Sequence, residues 1–450
     1  MSKIKKYFFL NNFVNLIFCF LPVSFILGST ILNLNILLLL FFSSSVVLKN
    51  KLKLNLSKIE YFLISFFLFY IFTTGLNIQL VGIGYFVKSI FSLRFLALYL
   101  LIKIMLENNK LDLNLFFKSC LVCTSLLCVD LFVQYIYGRN LLGMYPIEGR
   151  LSGFFGSEPI AGGYIQKLFL FSFLGIFFFF KKKNYQNLLI FLFLFLHSNA
   201  AIIANNRMSL ILLMLTIIIL TVSIASLRKT LALSLVAISI SFYCILNFGH
   251  NELIGINLKK FANSLVVIDN KETLNNEITK GSKEEPISSN KFNFFQNTHS
   301  RLYASVIHSF KSNIFFGNGY KSFRINCKPL KSNDYKVNKK EIDDAIAKNE
   351  LVHKQFCSTH PHNYALEVLH DTGIIGFILM SIFVILKLIK KIGKAIKRGN
   401  LNYVYYFTLL NFLIEIFPLK STGSLFTTWN GTLAWLIVSL SLYELKKIKY

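Results

Sequence analysis

The stretch His360-Pro361-His362-Asn363-Tyr364-Ala365-Leu366-Glu367-Val368-Leu369-His370-Asp371-Thr372-Gly373-Ile374-Ile375-Gly376 joins a long polar segment to an apolar one. It reads as a helix. Pro361 is tolerated at a first helical position because the N–H it lacks would be unpaired there anyway. At about 100° per residue, the steps from His362 to Gly373 make about three turns and return to nearly the same face. Gly376 lies one turn further on. One face therefore carries an imidazole at its mouth and two residues without side chains below it. In a membrane such small residues let a neighbouring helix approach closely. A glycine pair for helix packing beside an incidental surface histidine accounts for the same pattern, so the surroundings decide.

Those surroundings are apolar. Hydrophobic residues make up 54% of the chain and charged residues 15%, against about a quarter charged in soluble proteins. Runs long enough to span a bilayer recur, which predicts an all-α, polytopic membrane bundle of about twelve helices. They fall at about 7–28, 30–48, 61–80, 84–106, 113–137, 164–180, 188–204, 208–227, 230–248, 372–389, 403–419 and 432–445. The organisation is then nine spans in 1–248, one large loop domain in 249–363, and three spans in 364–450. The net charge of +27 sits largely in short runs between spans, such as Lys181-Lys182-Lys183 and Lys390-Lys391. All such runs fall on one side, which makes them cytoplasmic and the large loop external. Basic charge placed this way implies no nucleic-acid partner. Lys3, Lys5 and Lys6 before the first apolar run resemble a secretory signal, but no small-residue cleavage site follows, so the run reads as a retained span. Both termini are expected inside.

Within the external regions, Gly149-Arg150-Leu151-Ser152-Gly153-Phe154-Phe155-Gly156-Ser157-Glu158-Pro159 is glycine-rich and carries both charges, and reads as a structured turn. Leu302, Val306 and Phe310 share one helical face, with Ser300 as N-cap and Arg301 in the first turn. Gly317-Asn318-Gly319 reads as a turn. A charged helix is expected near 339–349, and a polar excursion near 270–290. Of the seven cysteines, five lie in spans as small apolar fillers. Cys327 and Cys357 lie in the external loop, where disulfides are permitted, and are expected to pair. Lys88 and Lys103 can snorkel to the interfaces, whereas Arg94 and Glu415 fall within spans. No spacing suggests a metal or nucleotide site, and no cofactor is expected.

This topology places Arg150, Arg207, Arg301 and His362 at one membrane face. Arginine offers a fixed fork of donors suited to phosphate. A histidine can accept a proton at neutral pH. Singly, each arginine is equally accounted for as an anchor to lipid headgroups.

His362-Asn363, nine residues, Gly373, two residues and Gly376 resemble the signature of the O-antigen ligase superfamily, which includes lipopolysaccharide O-antigen ligases and O-antigen polymerases. Arg150-Leu151-Ser152-Gly153-Phe154-Phe155-Gly156, Arg207 at the head of a span, and Arg301 with Gly317-Asn318-Gly319 downstream extend the likeness. The resemblance implies a bacterial inner-membrane glycosyltransferase, metal-independent and inverting, acting at the periplasmic face. Its donor would be a glycan on undecaprenyl diphosphate, and its acceptor lipid A-core or, for a polymerase, a second lipid-linked glycan. Arg207 and Arg301 match residues that bind the diphosphate, and His362 matches the base. Arg150, Glu158 and Asn363 are further substrate-site candidates, and Gly373 and Gly376 serve helix packing. The chain departs from the ligase pattern in continuing Met208-Ser209-Leu210 after Arg207. A transporter or flippase for lipid-linked glycan is the reading of another class, and it rests on Arg94 and Glu415.

Overall fold

Backbone polar groups in lipid must be satisfied within the chain, and apolar runs therefore fold as helices. The computed structural model describes residues 3–146, 149–180, 185–249, 255–259, 298–326, 358–398 and 403–441. Among them the regular structure is helical throughout. Among the described residues, eight helices are long and apolar enough to cross a membrane: Ser29–Lys49, Lys58–Leu76, Ile83–Glu107, Leu113–Tyr137, Ala161–Phe179, Gln186–Ile203, Ala225–Phe248 and Tyr364–Gly393. Leu10–Cys19 and Arg207–Ser223 are shorter apolar helices. Tyr403–Glu415 and Thr428–Ser441, at the positions of the last two expected spans, have 13 and 14 residues. The expected charged helix at 339–349, the 270–290 excursion and the Cys327–Cys357 pair lie outside the described residues.

The chain forms two compact units. The first comprises 1–124, 167–186 and 295–450. In it the Tyr364–Arg398 helix lies along Lys58–Leu76, and Thr428–Ser441 packs on Leu93–Glu107 and on Tyr403–Glu415. The interior is aromatic. Phe67, Tyr70 and Trp435 are fully buried, and Phe426 meets Tyr70 at 4.6 Å between ring centroids. Lipid tails are as apolar as these rings, so close packing, and not removal from water, holds the contacts. Buried charges are expensive unless paired, and two carboxylates gather most of them. Glu60 takes Lys387 and, at 3.0 Å, Lys103, which ties three helices together. Lys103 is thus a buried ion-pair partner and does not snorkel. Glu415 takes Lys167 at 2.8 Å and Lys420 at 2.6 Å.

The second unit comprises 125–166 and 187–294. Its Arg207–Ser223 helix packs on Arg228–Phe248. The glycine-rich region is a folded turn, as its composition implied. Asn140 organises it: Nδ2 donates to Gly153 O at 2.6 Å, and Oδ1 accepts from Leu142 N and Met144 N. Gly153 N donates to Gln134 Oε1 at 2.9 Å, and a Cβ on Gly153 would strike Leu127.

One helix departs from the expected geometry. The expected continuous face from His362 through Gly373 does not exist. The helix starts at Tyr364, after Pro361 and His362, and its regularity stops at Gly373, with φ 65° and ψ −170°. That backbone region is essentially restricted to glycine. The break is filled by residues 314–319. Asn318 N donates to His370 O at 3.0 Å and Gly319 N to Asp371 O at 2.9 Å, while Ile374 N donates to Ile314 O at 2.9 Å. Four backbone groups that the break would leave open include these three, and Ile375 N completes the set at 3.4 Å from Phe315 O. Non-helical backbone at membrane depth survives only where protein satisfies it in this way. Gly317 is the counterpart of Gly373: a Cβ on either would collide with the other's backbone nitrogen. Gly373 therefore admits a loop, not a neighbouring helix. At Gly376 a Cβ would meet the Thr372 side chain of its own helix first, with Phe69 of the Lys58–Leu76 helix at 3.3 Å.

Candidate functional site

In the first unit, the polar chain before Tyr364 turns into the helix through His362, whose φ is 56°. Asn363 is the N-cap: its Oδ1 accepts from Leu366 N at 3.1 Å and its Nδ2 donates to Pro418 O at 2.7 Å. Thr422 N donates to His362 O at 2.9 Å. Glu367, one turn in, accepts from Leu425 N at 2.7 Å and from the Ser424 hydroxyl. The loop 417–427 is thus bound to both ends of the first helical turn, and it holds the His362 backbone from the side. The His362 Nε2 lies 3.1 Å from the Ser358 hydroxyl, and its ring packs on His360 with centroids 4.1 Å apart.

His360 is a neutral partner. Its Nε2 faces the Thr422 carbonyl at 3.2 Å and so carries the proton, and its Nδ1 accepts from the Thr359 hydroxyl at 3.0 Å. Burial, and then the adjacent His362, push its pKa down to about 4. In the unfolded chain the same ring titrates near ~6.5. Between these values the unfolded chain binds a proton that the folded chain refuses. Stability is therefore lost as the pH falls from about 6.5 towards about 4. Thermal unfolding across that window should show a steeper acid decline for wild type than for His360→Asn. Parallel declines would assign the acid sensitivity elsewhere.

Beneath the break, Asp371 is fully buried and saturated. It accepts from Tyr70 OH at 2.8 Å, Lys321 N at 2.8 Å and Ser322 Oγ at 3.5 Å, and its Oδ1 is 3.1 Å from His370 Nδ1. It thereby anchors the chain that leaves Gly319 and carries Lys321 and Arg324. Burial holds the Lys321 ammonium down at about 8, with Arg324 and Arg94 acting in the same direction against the pull of Glu367 and Asp371. Arg301 lies on the Thr298–Phe310 helix. Leu302 and Val306 of that helix are buried with Phe323, and Leu366 packs on them. The apolar face read from the sequence is the face that docks, and it seats the Arg301 helix against the helix headed by His362.

In the second unit, Arg207 is the first residue of Arg207–Ser223, capped by Asn206, whose Oδ1 accepts from Ser209 N at 3.3 Å. The preceding Asn205 donates from Nδ2 to Gly149 O at 3.2 Å. This bond ties the Arg207 turn to the chain just before Arg150. Both arginines and Glu158 are exposed. The arginine candidates are thus split, with Arg150 and Arg207 together in one unit and Arg301 in the same unit as His362.

Four polar residues of the His362 neighbourhood were not singled out from sequence: Lys321, Arg324, Glu367 and Lys420. Glu367 carried a faint signal, since an acid in the first turn of a helix is favoured by its dipole. Lys321 and Arg324 carried none, because only the docking of the Gly317-Asn318-Gly319 turn into the helix break brings them here.

Residues 189–381 match the family model described as O-antigen ligase. Over this segment the chain is similar to the O-antigen ligase family. The matched segment includes Arg207, Arg301, His362, Gly373 and Gly376, and stops short of Arg150 and Glu158. No curated protein matches the chain. That similarity and the eight apolar helices together support a multi-pass membrane protein of the ligase and polymerase type.

Proposed function

We propose that the protein transfers a polysaccharide from undecaprenyl diphosphate to a lipid A-core acceptor at the periplasmic face of the inner membrane. The observation that carries this reading is the family match across Arg207, Arg301 and His362, with His362 held at the head of a broken helix by loop 417–427. In this mechanism His362 takes the proton from an acceptor hydroxyl. Its Nε2 already stands within hydrogen-bond reach of one hydroxyl, that of Ser358, which is the geometry a general base needs. The acceptor oxygen attacks the anomeric carbon from the face opposite the diphosphate. The carbon–oxygen bond to the diphosphate breaks, and the configuration inverts. Arg207 and Arg301 hold the diphosphate and stabilise the charge that grows on it as it leaves, where fixed cationic donors lower a barrier most. The chemistry needs no cofactor.

In this reading Glu415 is structural. Glu415 is matched by Lys167 and Lys420 and by the Tyr364 hydroxyl at 2.8 Å, a closed structural cluster. A strain lacking the protein should accumulate long glycan on the carrier lipid and display bare core on a lipopolysaccharide gel. Core bearing a single repeat would instead assign polymerisation, with a second lipid-linked glycan as acceptor. Unchanged glycans on both carrier and core would overturn the proposal.

A further inference from the structure

The buried cations of the first unit fall into two groups. Lys103 and Lys387 are matched by Glu60, and Lys167 and Lys420 by Glu415. Lys391 is capped by the Ser441 carbonyl and the Thr408 hydroxyl. Arg94, Lys321 and Arg324 differ. Arg94 donates to Asn33 Oδ1 at 3.0 Å and to Thr428 Oγ1 at 3.3 Å, and its Nε is buried without a partner. Arg324 has a buried Nε without a partner. The Lys321 ammonium lies 5.3 Å from the centroid of the Tyr320 ring. None of the three pairs with a carboxylate among the described residues.

The fold brings these three to one place. Tyr320 OH donates to Phe426 O at 3.2 Å, two residues before the Thr428 that receives Arg94. Lys321 follows Tyr320, and Arg324 stands on the single turn Phe323–Asn326. Two acids are nearby, Glu367 bonded to Ser424 and Leu425 N and Asp371 to Tyr70 and Lys321 N, and neither forms an ion pair with any of the three cations; they offset the positive charge only in part. Three neighbouring cations repel one another and lose solvation when half-buried. Two carboxylates against three cations leave a net positive charge, which an anion from outside the chain would balance.

We propose that Arg94, Lys321 and Arg324 form an anion subsite for a phosphate-type group carried on a lipid-anchored substrate, additional to the diphosphate contacts of Arg207 and Arg301. Two guanidinium forks and an ammonium suit a multiply charged tetrahedral anion better than a single carboxylate. The same chemistry is carried by the carrier-lipid diphosphate of a donor and by a phosphorylated lipid acceptor. The assignment of the ligand to a lipid-anchored substrate rests on the glycan-transfer reading; the anion subsite itself rests on the unpaired cations.

Binding of inorganic pyrophosphate to the purified, detergent-solubilised protein tests it, with sulfate at equal ionic strength as the control. Pyrophosphate should raise the unfolding midpoint of the wild type more than sulfate does. Lys321→Gln and Arg324→Gln should each weaken binding by about tenfold, the scale of one lost charge-assisted contact, while their ligand-free midpoints stay near wild type. If a ligand-free midpoint shifts, Lys321→Arg should restore binding where Lys321→Gln does not. Vesicles containing undecaprenyl diphosphate, or phosphorylated lipid A, then identify the source by which of them loses affinity in the variants. Wild-type affinity in both variants, or equal responses to pyrophosphate and sulfate, would overturn the subsite. Loss of binding in the variants together with unchanged glycans in a strain lacking the protein would keep the subsite and discard the ligase reading. Altered glycans in that strain with unaltered binding in the variants would do the reverse.

Discussion

His362→Ala is expected to lower glycan transfer by at least about a hundredfold, the low end of what a positioned general base contributes. The fold should survive the change. The His362 backbone is held by Thr422 N, and the helix it precedes is capped by Asn363, so neither bond involves the imidazole. The measurement is transfer by the purified variant from a carrier-lipid donor, set beside its level in the membrane and its unfolding midpoint. Undiminished transfer would remove His362 from the chemistry. A comparable loss of both transfer and midpoint would make it a structural residue. His360→Asn is the companion: it removes the ring packed against His362 without removing the base, and should cost far less activity.

Gly373→Ala carries the largest expected effect on stability. The alanine would have to hold φ near 65° with ψ near −170°, a conformation that costs about 1–3 kcal/mol without a glycine. Its Cβ would also meet the Phe315 carbonyl and the Gly317 nitrogen, and overpacking of that kind adds about 1–3 kcal/mol. Backbone atoms cannot rotate away as a side chain can. The residues 314–319 must withdraw, and the hydrogen bonds across the break go with them. A destabilisation of about 2–6 kcal/mol follows, read as a lowered unfolding midpoint in detergent and a reduced amount in the membrane. Gly393, on the same helix, supplies the control. Nothing lies within 4 Å of where its Cβ would stand, and alanine there should be neutral or stabilising by up to about 1 kcal/mol. Equal effects at the two glycines would mean that the break is not what makes Gly373 necessary.

Much of this molecule was legible in the chain before any coordinates. Length and apolarity of the runs foretold helices, because lipid leaves the backbone no other local solution. The spacing of Leu302 and Val306 foretold which face of the Arg301 helix is buried. The glycines and polar residues around Arg150 foretold a folded turn. The motif from His362 to Gly376 was visible as spacing, and the family match spans it. Its geometry was not visible. A period of 3.6 residues runs through Gly373 undisturbed, so periodicity predicts a continuous helix where the backbone breaks. Whether a glycine packs a neighbouring helix or admits a loop depends on which segment arrives there, and residues 314–319 are far from Gly373 in sequence.

The sequence alone therefore determined the helical membrane character and supplied residue types suited to a lipid-linked diphosphate. The tertiary structure alone decided where the helix breaks, that Asn363 caps it, and that Glu367 fastens the 417–427 loop beside His362. It also decided which charges are spent. Lys103, Lys167 and Glu415 are matched inside the bundle, while Arg94, Lys321 and Arg324 form no ion pair among the described residues. The physical reason is the same in each case. Periodicity and composition report what one segment can do with its own backbone and its surroundings. Partnership between segments tens to hundreds of residues apart is set by packing, and only packing decides which charges find an ion-pair partner.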